Sequence, residues 1–154
     1  MALPPSERGI LHELCSSELV LEELDPRVMP ADLAALFPEE AERMAKAVDK
    51  RRREFTAGRV LARRAMARLG HPEGAVPHAD DRAPGWPAGS TGSITHTDRW
   101  CGVALARNDV RRGIGLDVEL DKALKPDVLD AIVSDDDRAW LRSYTVEQQC
   151  ALGK

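Results

Sequence analysis

Three groups of side chains in this sequence carry chemistry. The first is Gly113-Ile114-Gly115-Leu116-Asp117-Val118-Glu119. On a strand, positions i and i+2 share a face, so Asp117 and Glu119 are expected to present two carboxylates side by side. Two such charges repel unless a cation sits between them. Mg²⁺ accepts one or two carboxylates and completes its octahedron with water and phosphate oxygens. A solvated strand edge is the other reading of this pattern, and Asp121 continues the alternation.

The second group is Gly92-Ser93-Ile94-Thr95-His96-Thr97-Asp98. A histidine ends an expected strand among small hydroxyl residues, after a Gly-rich approach. Those groups could donate to phosphate oxygens, and turn chemistry explains the same residues. The third group is basic. Lys50, Arg51, Arg52, Arg53, Arg59, Arg63, Arg64 and Arg68 lie in one segment with a single acid, Glu54, a local charge of +7. The chain as a whole carries −4, so the remainder is −11. Charge segregated in this way suggests an anionic partner at one place.

These groups need elements to position them. Pro38, followed by Glu39 and Glu40, reads as a helix start. One long helix is expected from there to about Leu69, ended by Gly70 with Pro72 beyond. At 100° per residue, Met44, Val48, Phe55, Ala62, Met66 and Leu69 form its apolar stripe. Arg51 and Arg59 lie about 40° to either side of Phe55, where a cation can lean over a sheet and meet a ligand. Arg52 and Arg63 are intermediate. Lys50, Arg53, Arg64 and Arg68 point away and are expected to be solvated.

Residues 1–38 read as irregular with short helical pieces, broken by five prolines. Residues 71–91 read as a loop holding at most one short strand near Val76. Strands are expected at Gly92–His96, at the apolar run Trp100–Arg107 and at Gly113–Glu119. Helices follow from Pro126 to Ile132 and from Asp135 to Arg142. The fold class is α+β, a long helix packed on a small, mainly antiparallel sheet.

Composition narrows the function. With 154 residues, 43% hydrophobic and 31% charged, the chain is of the globular class. No apolar run approaches the roughly 20 residues that span a bilayer. Glu7, Arg8, His12 and Glu13 interrupt any signal-peptide core. Cys15, Cys101 and Cys150 form no CxxC pair, and an odd count suits a reducing compartment. A cytoplasmic protein without membrane partners is expected. A nucleic-acid reading of the basic helix lacks zinc-finger ligands, a zipper and an aromatic RNA-binding strand. Cys150 is a bystander, because no base is spaced to activate it.

Taken in order, four segments resemble one family. They are Lys50 to Arg59 (Lys-Arg-Arg-Arg-Glu-Phe-Thr-Ala-Gly-Arg), Arg82-Ala-Pro-Gly-Trp86-Pro87-Ala-Gly, Gly-Ser-Ile-Thr-His96, and Gly-Ile-Gly-Leu-Asp117-Val-Glu119. The sequence is similar in these to the Sfp-like 4′-phosphopantetheinyl transferases of the enterobactin-synthase type, over roughly Pro38 to Ile132. The resemblance implies transfer of the 4′-phosphopantetheine arm of coenzyme A to a serine of an apo carrier protein. Acceptors in that family are carrier domains of polyketide, nonribosomal-peptide, siderophore and fatty-acid synthases. It implies that Arg51 and Arg59 hold the 3′-phosphate end of coenzyme A. Arg82 lies near the adenine and phosphates, and Thr95 and His96 touch the nucleotide phosphates. Asp117 and Glu119 bind Mg²⁺, and with His96 they form the catalytic set. The implied fold is a pseudo-duplicated α+β unit. Residues 1–108 are the coenzyme A-binding subdomain, and 109–154 are part of a second subdomain carrying the Mg²⁺ segment.

The family pattern continues with a Trp-x-x-Lys-Glu-x-x-x-Lys helix, which Trp140, Glu147 and Lys154 do not reproduce. A C-terminally truncated chain is therefore expected, or a short form completed by another subunit. An unpaired sheet edge would favour self-association. A coenzyme A-binding module without catalysis, or an inactive fragment, is the alternative function.

Overall fold

The computed structural model describes residues 18–78 and 83–148. Arg82, Cys15 and Cys150 lie outside the described residues. The chain divides into two compact units at the Val118–Glu119 peptide.

The first unit is a three-stranded antiparallel sheet in the order β1-β3-β2, with β1 at Val20–Leu24, β2 at Ser90–His96 and β3 at Cys101–Arg107. The central position of β3 explains its sequence. Six of its seven residues are buried, as an apolar run covered on both faces requires. The register pairs Ile94 with Val103 and His96 with Cys101 across β2 and β3, and Val20 with Leu105 across β1 and β3. β1 was read above as irregular. Its sequence, Val-Leu-Glu-Glu-Leu, lacks the strict alternation of a half-buried strand, and its pairing partner lies some 80 residues away in the chain.

Two helices precede β2: α1 at Pro38–Met44 and α2 at Asp49–Arg68. The single helix expected from Pro38 is broken at residues 45–48. Val48 is extended (φ −70°, ψ 156°) as the residue before α2 and 73% exposed. Arg52 folds back to donate to the carbonyls of Met44 (3.2 Å) and Ala45 (2.6 Å). A guanidinium thus satisfies carbonyls that the end of a helix leaves open.

The apolar stripe holds from Phe55 onward. Phe55, Leu61, Ala62, Ala65 and Met66 are buried, and most of them join Val76, Cys101, Val103 and Leu105 in the main core. Gly58 lets the helix approach the sheet closely: a Cβ there would stand 2.9 Å from Ile94 Cγ2. The opposite face of the sheet carries a smaller cluster of Leu21 and Ala104 with Trp100, Ile114 and Leu116. There the Trp100 ring lies over Gly102, where a Cβ would come within 2.3 Å of it.

Residues 113–119, expected as a strand, form none. Ser93 Oγ accepts from the Leu116 N–H (3.2 Å) and Thr95 Oγ1 from the Val118 N–H (3.1 Å). Side-chain hydroxyls of β2 take the place of backbone carbonyls, so no ladder forms. The i, i+2 argument for Asp117 and Glu119 therefore has no strand beneath it.

In the second unit, α3 (Pro126–Ile132) and α4 (Asp135–Leu141) form where the sequence predicts them. Ser134 caps α4 by accepting from the Asp137 N–H while Asp137 reaches back to the Ser134 N–H, a reciprocal cap. Leu129 and Leu141 form a small core with Leu124 and Val133. No helix among the described residues is long and apolar enough to cross a membrane.

Candidate functional site

The basic residues of α2 have separate fates. Arg63 donates to Glu40 Oε2 (3.0 Å) and to the Ala35 carbonyl. Arg68, expected to be solvated, donates to the Leu21 carbonyl (3.0 Å) and to Glu22 (2.8 Å), tying the helix end to β1. Arg52 closes α1. These three are used up in holding the fold.

Arg51 and Arg59 are different. With Glu54, Phe55, Gly58, His78, Pro84, Ile94 and His96 they line a cavity of about 180 Å³ beside α2 and β2. Arg59 is only 3% exposed, and among the described residues its Nε and Nη2 have no hydrogen-bond partner. Its guanidinium sits 4.3 Å over the Phe55 ring, a cation–π contact. Burial lowers its pKa to about 10, opposed by the charge of Glu40, so it stays cationic at neutral pH.

Glu40 explains how a buried cation is tolerated. It is 2% exposed and is held by N–H groups of Val76 (2.8 Å) and Phe37 (3.0 Å) and by Arg63. Its Oε1 lies 3.9 Å from Arg59 Nε. That is near enough for charge compensation and too far for a hydrogen bond. Arg59 keeps its charge and keeps its donors free. Nε and Nη2 of Arg59 are thus donor atoms without a hydrogen-bond partner among the described residues, in a charged side chain that lines the cavity.

At the other side of the cavity, Arg51 Nη1 is 2.9 Å from His96 Nε2. His96 Nδ1 is 3.6 Å from Glu54 Oε2, a carboxylate also 3.9 Å from Arg51 and 3.7 Å from Lys50. Burial lowers the His96 pKa; Glu54 opposes this, and Arg51 and Lys50 add to it. Cys101, paired across the sheet with His96, has its thiol pushed up to about 12 by burial and is no nucleophile.

Thr95 and His96 point to opposite faces of β2. Thr95 Oγ1 donates to Asp117 Oδ1 (3.4 Å), away from α2. The structure thus brings together Arg51, Arg59 and His96, and separately Thr95 and Asp117. Asp117 is exposed and belongs to the first unit, whereas Glu119 is exposed and belongs to the second. Among the described residues no three His, Cys, Asp or Glu side chains converge as a metal cage. The sequence reasoning passed over Glu40, Glu54 and His78. The signal for Glu54 was present: it is the one acid inside the basic run.

Residues 39–106 match the 4′-phosphopantetheinyl transferase N-terminal domain family. They include α2, β2 and all but the last residue of β3, and so the whole cavity. The chain is also 41% identical over 114 residues to the 4′-phosphopantetheinyl transferase Npt of Nocardia iowensis, covering 74% of this chain and 51% of that protein. It is 41% identical over 109 residues to Svp of Streptomyces mobaraensis, covering 71% and 44%. Against PptT of Mycobacterium tuberculosis it is 41% identical over 103 residues, covering 67% and 45%. Over residues 39–106 the chain is thus similar to the N-terminal domain of 4′-phosphopantetheinyl transferases. The match spans about half the length of those curated relatives.

Proposed function

We propose that the cavity of this phosphopantetheinyl transferase domain binds the 3′-phosphate of coenzyme A, as part of an Sfp-type transferase with a pseudo-duplicated fold. The observation that carries this reading is Arg59, buried, charged and with two donors unspent. A phosphate monoester offers the bidentate acceptor geometry that a guanidinium matches. Arg51 and His96 add a second cation and an imidazole across the same space.

The reaction is phosphoryl transfer to a serine hydroxyl of an apo carrier protein. The serine oxygen bonds to the phosphorus carrying the pantetheine arm, and the bridging P–O bond breaks. Adenosine 3′,5′-bisphosphate leaves, and the serine proton passes to a base. Positioning and charge neutralisation supply most of the acceleration. Arg51, Arg59 and His96 anchor the nucleotide end so that the pyrophosphate is held in one register. The carrier domain would belong to a polyketide, nonribosomal-peptide or fatty-acid synthase.

Mg²⁺ fits the donor chemistry of the opposite face, where an exposed carboxylate stands beside a hydroxyl. Asp117 would be one ligand, and Glu119 is a second only by the family resemblance. The ion would neutralise the pyrophosphate. The Thr95 hydroxyl orients Asp117 and, by accepting from the Val118 N–H, fixes the backbone next to it.

Two measurements test this. Calorimetry should give tighter binding of coenzyme A than of 3′-dephospho-coenzyme A, and equal affinities would overturn the cavity assignment. Incubation with coenzyme A, Mg²⁺ and an apo carrier protein should add the phosphopantetheine arm, read by intact mass. Binding without transfer would leave the chain as a coenzyme A-binding module.

A further inference from the structure

The cavity of an anion site contains an anion of its own. Glu54 is 8% exposed and faces the same space as Arg51, Arg59 and His96. A carboxylate there opposes phosphate binding by simple charge repulsion, so its presence calls for a compensating role.

The His96 geometry supplies one. Nδ1 faces Glu54 at 3.6 Å and Nε2 faces Arg51 at 2.9 Å. Arg51 has only donors, so with Arg51 as its neighbour Nε2 must be the unprotonated nitrogen and Nδ1 carries the hydrogen. In that tautomer His96 shows a lone pair toward the arginine side of the cavity. A lone pair cannot donate to a phosphate oxygen. For His96 to hold a phosphate, Nε2 must gain a proton, and both nitrogens then donate.

Among the described residues, the charged and titratable groups around His96 are Lys50, Arg51, Glu54 and Arg59 from α2, Cys101 from β3, and His78. In the free protein burial, first of all, and then Arg51 and Lys50 disfavour an imidazolium, against Glu54. The negative charge of a bound phosphate would add to that of Glu54, 3.6 Å from Nδ1, and shift the balance toward the imidazolium.

We propose that Glu54 is a positioning residue that turns the His96 ring and holds its imidazolium, so that a phosphate monoester enters the cavity together with one proton. This rests on the cavity being the 3′-phosphate site. The phosphate itself is already dianionic above about pH 7, so proton uptake there belongs to the protein.

The test is calorimetry of the protein with coenzyme A and with 3′-dephospho-coenzyme A, at pH 7.5, in buffers of different ionisation enthalpy. Coenzyme A should bring net proton uptake, and 3′-dephospho-coenzyme A none. Coenzyme A affinity should fall with rising pH, toward a limit of about tenfold per pH unit for one linked proton. His96→Gln should remove the uptake, and Glu54→Gln should lose most of it and flatten the pH dependence. Affinity alone is no readout for Glu54→Gln, because that change also removes a repulsive charge. Coenzyme A preferred over its dephospho form but bound without proton uptake would overturn the inference and leave the cavity assignment standing. Undiminished uptake in His96→Gln, or in a folded Glu54→Gln, would also overturn it. Equal affinity for the two ligands would instead remove the cavity assignment. The wild-type measurement decides even if a variant does not fold.

Discussion

The two faces of β2 are built by opposite strategies. On the face toward α2, Ile94 and His96 meet a helix at close range, and Glu40, Glu54 and Arg59 are buried while Arg51 and His96 stay partly exposed. On the other face, Ser93 and Thr95 hold residues 116–118 by hydroxyl bonds alone, and Asp117 remains exposed. The first face is complete before any ligand arrives, with Glu40 compensating Arg59. The second face offers one carboxylate on a segment without a ladder, an arrangement suited to completion by a cation. On the proposed reading, preorganisation is concentrated where a phosphate would need several donors at once, and adaptability where Mg²⁺ would bring its own water ligands.

The sharpest way to break this contrast is at Glu40. Glu40→Ala leaves Arg59 and Arg63 without their buried counter-charge and strips a partner from two N–H groups. Removing one partner of a buried ion pair costs about 3–5 kcal/mol. Chemical denaturation should show a loss of that size, larger than for any change at Asp117. A loss below about 1 kcal/mol, the range of surface pairs, would mean that the cavity face is not preorganised by Glu40.

The next effect falls on binding. Arg59→Met keeps much of the side chain's length over Phe55 and removes the unspent donors. Hydrogen bonds to charged groups are worth about 1.5–3 kcal/mol, so coenzyme A should bind roughly 10- to 100-fold more weakly. Its 3′-dephospho form should change little. Calorimetry of the two ligands reads the difference, and equal losses would place Arg59 outside the phosphate contact.

These two residues also show how much the sequence disclosed. The positions of Arg51 and Arg59 beside the apolar stripe follow from the helical period, which is local, and both line the cavity. The buried run of β3 and the helices at Pro126 and Asp135 were legible for the same reason. The Glu40–Arg59 relation was not, because it depends on the break at residues 45–48, where Val48 and the Arg52 side chain end one helix and start another. Neither was β1, whose pairing with β3 is long-range. Thr95 and His96 were read as a pair touching one ligand. The period of two that governs strands puts them on opposite faces, and the hydroxyl of Thr95 goes to Asp117.

On the second face the expected effects are smaller. Thr95→Val keeps the shape of the side chain and removes the oxygen that binds both the Val118 N–H and Asp117. The stability loss should be about 1 kcal/mol, since the freed groups lie in an exposed segment. The more telling readout is amide hydrogen exchange at Val118, which should accelerate while exchange in β3 stays unchanged. If β3 loosened as well, the two faces would not be separable.

The smallest effect is the pH dependence of the unliganded protein, and its sign separates two views of His96. Burial and the neighbouring cations lower the His96 pKa below its ordinary 6.5. The unfolded chain therefore binds a proton at a pH where the folded chain does not. Stability from this residue is present above pH 6.5 and is lost as pH falls through the lowered folded value. Thermal unfolding of the free protein should show a midpoint that rises with pH across that window, and a flatter rise in His96→Gln. With coenzyme A bound, Glu54 and the phosphate both favour the imidazolium. The stabilisation added by coenzyme A should then shrink as pH rises above neutrality, against the trend of the free protein. The same ring disfavours its proton in the empty cavity and requires it in the filled one. A free protein whose midpoint fell as pH rose through that window, with the fall absent in His96→Gln, would mean that Glu54 already holds His96 charged. The cavity face would then be preset in protonation as well as in geometry.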